Sequence, residues 1–381
     1  MTYRRPAEVF PPGDFIREEM EARGWNQGDL ARIMGRPLPA INLIISGKKS
    51  LTPETASGLA GAFGTSPEFW LNLQSAYQLS KLNPDDELQV RKRAKLFECA
   101  PVSEMEKRGW IRPVAELDAL QNELTDFFSL PETNRMRVAA RTSLQSNELT
   151  PVQLVWCIRV LHLAKSLRVA KFTNRSLEDG LHRLRGLADF PENIHRVPKV
   201  LGEAGIRLVV VEHLPGTKID GAALWLGEDW DNPVIALSLR YDRIDSFWHT
   251  LFHELSHIKH RDADVVDVDL VGADRSLPRE ARSETENRAN EEAASMLIPA
   301  ETLRSFIQRT RPFYSSDKII QFANRIKIHP GIIAGQLQFR KEIEWAAHRR
   351  MLVKVRKIAV SSTLTDGWGV VIAKPKVVPK K

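Results

Sequence analysis

Only two cysteines, Cys99 and Cys157, occur in 381 residues. That excludes a disulfide framework and a cysteine-rich zinc module, and it suits a reducing compartment. No run of about 18 uncharged apolar residues is present, so no membrane span is expected. The opening text MTYRRPAEVFPPGDF has two arginines without an apolar stretch behind them. It is therefore not expected to be a secretory leader, and the chain reads as cytoplasmic. Internal repeats and low-complexity tracts are absent too, against a repeat array.

Acidic charge is scarce in one place. From residue 349 to 381 the bases are Arg349, Arg350, Lys354, Arg356, Lys357, Lys374, Lys376, Lys380 and Lys381, against Asp366 alone. This segment accounts for the net charge of +7, whereas the eight bases of residues 1–80 are matched by eight acids. Net charge therefore does not identify a nucleic-acid-binding domain, and the basic segment reads as a solvated tail. The hydrophobic content of 43% is ordinary for a globular chain long enough for two or three cores.

The first segment has helical apolar spacing at Phe15, Ile16 and Met20, at Leu30, Ala31, Ile33 and Met34, and at Ile41, Ile44 and Ile45. Gly24 ends the first helix, Gly35-Arg36-Pro37 breaks the second and Gly47 closes the third. Thr52-Pro53 and Ser66-Pro67 each open a further helix, as cap followed by first-turn proline. Residues 14–64 thus have helix-turn-helix spacing, in which the second helix of the motif enters the major groove of double-stranded DNA. Arg36 and Asn42 are base-edge candidates, Ala40 offers only apolar contact, and Lys48 and Lys49 are phosphate candidates. A plain five-helix bundle that docks another protein has the same spacing.

A charged connector follows over 81–112, then a helical region over 113–200. The period changes over 206–212, 221–226 and 233–239, short apolar or β-branched runs that predict a small sheet. A long helix to His260, an acidic loop and a helix from about 283 to 297 follow. The fold class expected is α+β, mostly helical: a five-helix domain over 1–80, the connector, the middle region, a domain over 201–345 and a basic tail over 346–381.

The chemistry lies in WHTLFHELSH. His253 and His257, four apart on a helix, present both imidazoles to one metal. Glu254 is placed as acid/base: zinc lowers the pKa of a coordinated water to about 7, and the carboxylate takes its proton. The apolar flanks Phe247, Trp248, Leu251, Phe252, Leu255 and Ile258 bury this helix, and buried imidazoles and a carboxylate need partners. On the later helix, Glu286, Ala289, Asn290, Ala293 and Leu297 share a stripe of mostly small residues, which makes Glu286 the third zinc ligand. Glu291 and Glu292 are expected to point away. His249 and His260 are read as supporting or packing residues, and Asp262 and Asp264 as loop solvation.

Two stretches resemble known families. The text PPGDFIREEM, GRPLPAINLIISGKKSLTPETA and FGTSPEFWLNLQSAYQL is similar to the HigA-type antitoxin branch of the Cro/repressor helix-turn-helix family. The text HLPGTKIDGAALWL, RYDRIDSFWHTLFHELSHI, ETENRANEEAASMLIP and IHPGIIAGQLQ resembles the ImmA/IrrE metallopeptidases, and PVSEMEKRGWI looks like the joint between two such modules. The resemblance implies a zincin-like domain with His253, His257 and Glu286 on the metal and Glu254 as acid/base. It further implies a regulator that binds an operator as a homodimer and cleaves or disables a partner regulator or toxin. Glu292 replaces a large apolar residue of that pattern, and Pro39 and Leu43 replace residues commonly polar. An antitoxin or transcription factor with a non-catalytic zinc sensor, and a bundle that delivers substrates, fit the same text.

Overall fold

The computed structural model describes residues 9–129, 149–227, 230–262, 265–268, 270 and 283–368. Asp264 lies outside them. The chain divides into two units between Arg93 and Ala94.

The first unit contains α1 (Pro12–Ala22), α2 (Gln27–Ile33), α3 (Leu38–Ile45), α4 (Pro53–Phe63) and α5 (Pro67–Ser80). Their ends follow local chemistry. Asn26 and Asp29 form a capping box on α2, Thr52 accepts from the Thr55 amide on α4, and Ser66 accepts from the Phe69 amide on α5. Gly64 ends α4 at a φ of 72°, a conformation that a side chain would strain. Ile16, Met20, Leu30, Ile41, Ile44, Leu59, Phe63 and Trp70 fill one core. Gly13 allows α1 and α3 to touch, because a Cβ there would fall 2.1 Å from the Ile45 carbonyl oxygen.

Next come α6 (Pro84–Cys99), α7 (Val102–Lys107), α8 (Leu117–Phe128), α9 (Pro151–Ala164), α10 (Asn174–Arg185) and α11 (Val197–Glu203). Strands β1 (Arg207–Val210), β2 (Ile219–Trp225) and β3 (Pro233–Leu237) precede α12 (Ile244–His260) and β4 (Val265–Val268). The chain continues through α13 (Glu284–Leu297), α14 (Ala300–Thr310), α15 (Ser316–Ile326), α16 (Pro330–Phe339), α17 (Arg356–Ser362) and β5 (Leu364–Thr365).

The five strands form one mixed sheet in the order β4-β2-β3-β1-β5. Alternation along the strands splits it between two cores. Leu208, Val210, Ala223, Trp225, Ile235 and Leu237 face the layer that contains α12. Val209, Val211, Ala222, Leu224, Val234 and Ala236 face a layer built from α8 and α9. Burial on both faces explains why these strands read as continuous apolar runs. The helical stretch before the sheet thus supplies one of its covering layers.

Two expectations are corrected. The acidic loop after α12 contains strand β4, which pairs antiparallel with β2. The basic segment from 346 is folded as far as Trp368: Val355 and Ala359 are buried, and β5 pairs with β1. The amides of Val355 and Arg356 both donate to Asp242 Oδ1 at 2.7 Å, and the Arg356 guanidinium pairs with Glu212 at 3.0 Å. The bases from Lys374 onward lie outside the described residues.

Candidate functional site

Helix α12 buries Trp248, Leu251, Phe252, Leu255 and Ile258 in the core and turns His253, Glu254 and His257 toward β2, β4 and α13. Arg261 ends it in a left-handed turn at a φ of 53°. Helix α13 starts at Ser283, whose hydroxyl accepts from the Glu286 amide at 3.2 Å. Ala289 and Ala293, both fully buried, let the two helices approach until Glu286 reaches the imidazoles.

Four side chains converge: His253, His257, Glu286 and Asp267. The two Nε2 atoms are 3.0 Å apart. Glu286 Oε2 lies 3.3 Å from His253 Nε2, and its Oε1 lies 3.6 Å from His257 Nε2. Asp267 lies 3.2 and 3.8 Å from the same atoms. A tetrahedral set with bonds near 2.0–2.1 Å has edges of about 3.3–3.4 Å, so this spacing fits one small divalent ion.

The proton positions favour the same conclusion. His257 Nδ1 donates to Asp262 Oδ2 at 2.8 Å, because a carboxylate can only accept. That leaves the Nε2 lone pair of His257 pointing into the cluster, as a metal-binding histidine requires. Arg288 holds the same Asp262 oxygen at 2.6 Å. Asp262 thus orients the His257 ring of this cluster, contrary to the solvating role expected for it. Glu292 is corrected as well: it accepts from Ser256 at 2.9 Å and from His260 at 2.8 Å, and so ties α13 to α12. His249 meets Asn290 Oδ1 at 3.2 Å, in the supporting position expected.

Several buried atoms of the cluster lack a hydrogen-bond partner: His253 Nδ1, both Glu254 carboxyl oxygens and Asp267 Oδ2. Orphaned polar groups of this kind cost about 1–3 kcal/mol each, more when charged. A cation at the convergence point answers Asp267 directly. Without one, a proton must serve: burial opposes charging His253, but the Asp267 and Glu286 carboxylates outweigh it and hold the ring up to about 9. Asp267 is pushed below its ordinary range by His253 and His257 despite its burial. Glu254 goes the opposite way, raised by burial and by Asp267 and Glu286. A buried carboxyl with so raised an affinity for a proton is suited to acid/base work. Gly221 of β2 makes room for it, since a Cβ there would fall 2.2 Å from Glu254 Oε1.

One turn before His253, a cavity of about 400 Å³ opens among α12, α13 and α16, lined in part by His249, Asn287, Asn290, Phe339 and Trp345. Asp267 was missed by sequence reasoning because VVDVDL was taken with its acidic surroundings. Its one signal is the alternation of valines around Asp267.

In the first unit, α2 and α3 are joined by a turn through Gly35 and Pro37, with Gly35 at a φ of 60°. Asn42, Lys48 and Lys49 are exposed, whereas Arg36 and Ala40 are half-buried. Arg36 also lies near Glu54, whose carboxyl is lowered by Thr52, by its own amide and by the Arg36 charge. Leu38 and Leu43, 44% and 43% exposed, make the outer face of α3 largely apolar.

The helix-turn-helix family model HTH_3 matches residues 16–70. The uncharacterized HTH-type transcriptional regulator YddM of Escherichia coli K12 is 37% identical over 70 residues, 18% of this chain and 74% of that protein. Antitoxin HigA-1 of Vibrio cholerae is 39% identical over 79 residues, 20% of this chain and 71% of that protein. A solved structure of Pseudomonas aeruginosa antitoxin HigA with the higBA promoter is 28% identical, covers 22% of this chain and 91% of its own, and has a TM-score of 0.21. Through its N-terminal unit, the chain belongs to the helix-turn-helix family that includes these regulators and HigA antitoxins.

Proposed function

We propose that this chain is a DNA-binding, HigA-like transcriptional regulator whose larger unit is a zinc-dependent endopeptidase acting on a partner regulatory protein. The observation that carries the enzymatic half is the convergence of His253, His257 and Glu286 beside the fully buried carboxyl of Glu254. Two imidazoles and a carboxylate suit zinc, which when bound polarises an amide carbonyl and acidifies water. The chain's own residues do the rest. Asp262 fixes the His257 ring, Asn290 meets His249, and Gly221 holds space for the Glu254 carboxyl. Glu254 takes a proton from the attacking solvent and returns it to the leaving amine. The cavity beside His249 offers room for a substrate segment.

The test compares the proteins of cells that express the wild-type chain with those of cells expressing His257→Ala. A regulator that disappears, or shortens, only with the wild-type chain supports the reading. Identical profiles from a stoichiometrically metallated wild-type chain, and from the same chain carrying Asp267→Asn, favour the second reading, a sensor or partner-binding module. Asp267 is the observation on the side of that second reading, because a fourth protein donor closes the site.

Two smaller outcomes follow. Gly221→Ala is expected to keep the metal but lower turnover, by about tenfold to a hundredfold, because displacing a catalytic group by about 1 Å has such costs. Metal analysis beside a cleavage assay measures both. For the DNA-binding half, the Lys48→Ala/Lys49→Ala double variant should weaken binding to all sequences alike. Its slope of log affinity against log salt should fall by about 2, since each phosphate contact contributes close to one. Unchanged binding to the chain's own promoter would show that these lysines do not touch the backbone of DNA.

A further inference from the structure

We propose that Asp267 is a fourth metal ligand that caps the centre, so that the chain folds into a latent state and hydrolyses only when strand β4 gives this carboxylate up. The inference rests on the metal-centre reading above and specifies its regulation.

The distances do not separate the two carboxylates. Glu286 and Asp267 approach His253 Nε2 to 3.3 and 3.2 Å, and His257 Nε2 to 3.6 and 3.8 Å. Four donors so placed fill a tetrahedral ion, whereas a hydrolytic zinc needs a position left for solvent. Their surroundings do differ. The Glu286 side chain is 25% exposed and stands on a capped helix packed along α12. The Asp267 side chain is 4% exposed and stands on a four-residue strand that, among the described residues, pairs with β2 alone.

The register of β4 accounts for the aim of this side chain. Ile219 pairs with Val268 and Gly221 with Asp267, so the ladder slips by one residue at Asp220. A slip of this kind redirects a side chain. Here it brings Asp267 opposite Gly221, the residue that also makes room for Glu254. The neighbouring Val266 packs toward the opposite core.

Glu254 argues against a merely structural four-donor site. Such a site has no use for a third carboxyl that is fully buried with both oxygens lacking a hydrogen-bond partner. Its retention costs stability, and a stage at which the metal is open to solvent gives that carboxyl a use. Release of Asp267 would exchange one carboxylate oxygen for one of solvent at the ion these residues would hold, with no transfer of electrons. Among the described residues β4 has one strand neighbour, and release of a strand so held disturbs the core least.

The experiment uses the full chain loaded with cobalt(II) and titrated with acetohydroxamate, a small bidentate metal ligand, while the visible spectrum is recorded. The wild-type spectrum should be that of a closed four-donor site and respond weakly. Asp267→Asn, which keeps the shape, and Asp267→Ala should both bind the probe. Both should also hydrolyse an unstructured protein such as casein about tenfold faster or more, the measure of a closed state favoured by at least 1.4 kcal/mol. Glu286→Gln should instead lose metal. The proposal is overturned if the wild-type cobalt centre takes up the probe as readily as Asp267→Asn, or if Asp267→Asn loses its metal while Glu286→Gln keeps it. A wild-type chain that binds no stoichiometric metal overturns the metal centre itself, a distinct outcome.

Discussion

Glu254→Gln is expected to leave one metal per chain and to abolish cleavage, both in the wild-type chain and in the chain opened at Asp267. Glu254 is not among the four side chains whose donor atoms converge, so its loss does not remove a ligand. The amide has nearly the same volume and fits the space that Gly221 leaves. It cannot, however, accept a proton from solvent, and positioned acid/base groups contribute about 10²–10⁴-fold to rate. The substitution also replaces a fully buried carboxyl, raised by burial and by Asp267 and Glu286, with a neutral group. Glu254→Gln should therefore be at least as stable to heat as the wild type. Metal analysis, a melting curve and a cleavage assay on the same preparation check all three. Loss of metal, or cleavage within a factor of two of wild type, would remove Glu254 from its assigned role.

Local chemistry made the first unit and the helix of His253 legible. Thr52-Pro53 and Ser66-Pro67 fix helix starts through groups within three residues, so no distant information is needed. The apolar flanks of the histidines specify one buried face, and the small residues Ala289 and Ala293 mark where a partner helix can approach. What was not legible depends on distant partners. Asp267 acquires its role only through pairing with Gly221, across a register slip that the letters VVDV do not announce. Glu292 points away from the Glu286 stripe on an idealised wheel. Yet the close approach of α12 and α13 brings its long side chain onto Ser256 and His260. Charge alone made the segment around Arg356 look solvated. Its fixing contacts, to Asp242 and Glu212, come from residues more than 100 positions earlier.

Removing the metal should be the most destabilising change available without touching the apolar core. A ligand that binds the folded chain at about a thousand times its dissociation constant stabilises it by about 4 kcal/mol. For a unit of this size that corresponds to a fall in melting temperature on the order of 10 °C when a chelator is added. Zinc should restore the loss in the wild type and not in His257→Ala. The metal-free chain also acquires a pH dependence. Its His253 is raised to about 9 by Asp267 and Glu286 against burial, from an ordinary value of 6.5. A raised folded value means that the stabilisation is fully present below about pH 6.5 and is lost as pH rises through 9. The amount is on the order of 3 kcal/mol, given 1.36 kcal/mol for each unit. With metal in place of that proton the slope should vanish. Metal uptake near pH 7.5 should accordingly release a proton to the buffer, which calorimetry in two buffers of different ionisation enthalpy will detect. A chain whose stability between pH 6.5 and 9 ignores the chelator would show that neither metal nor proton holds these carboxylates together.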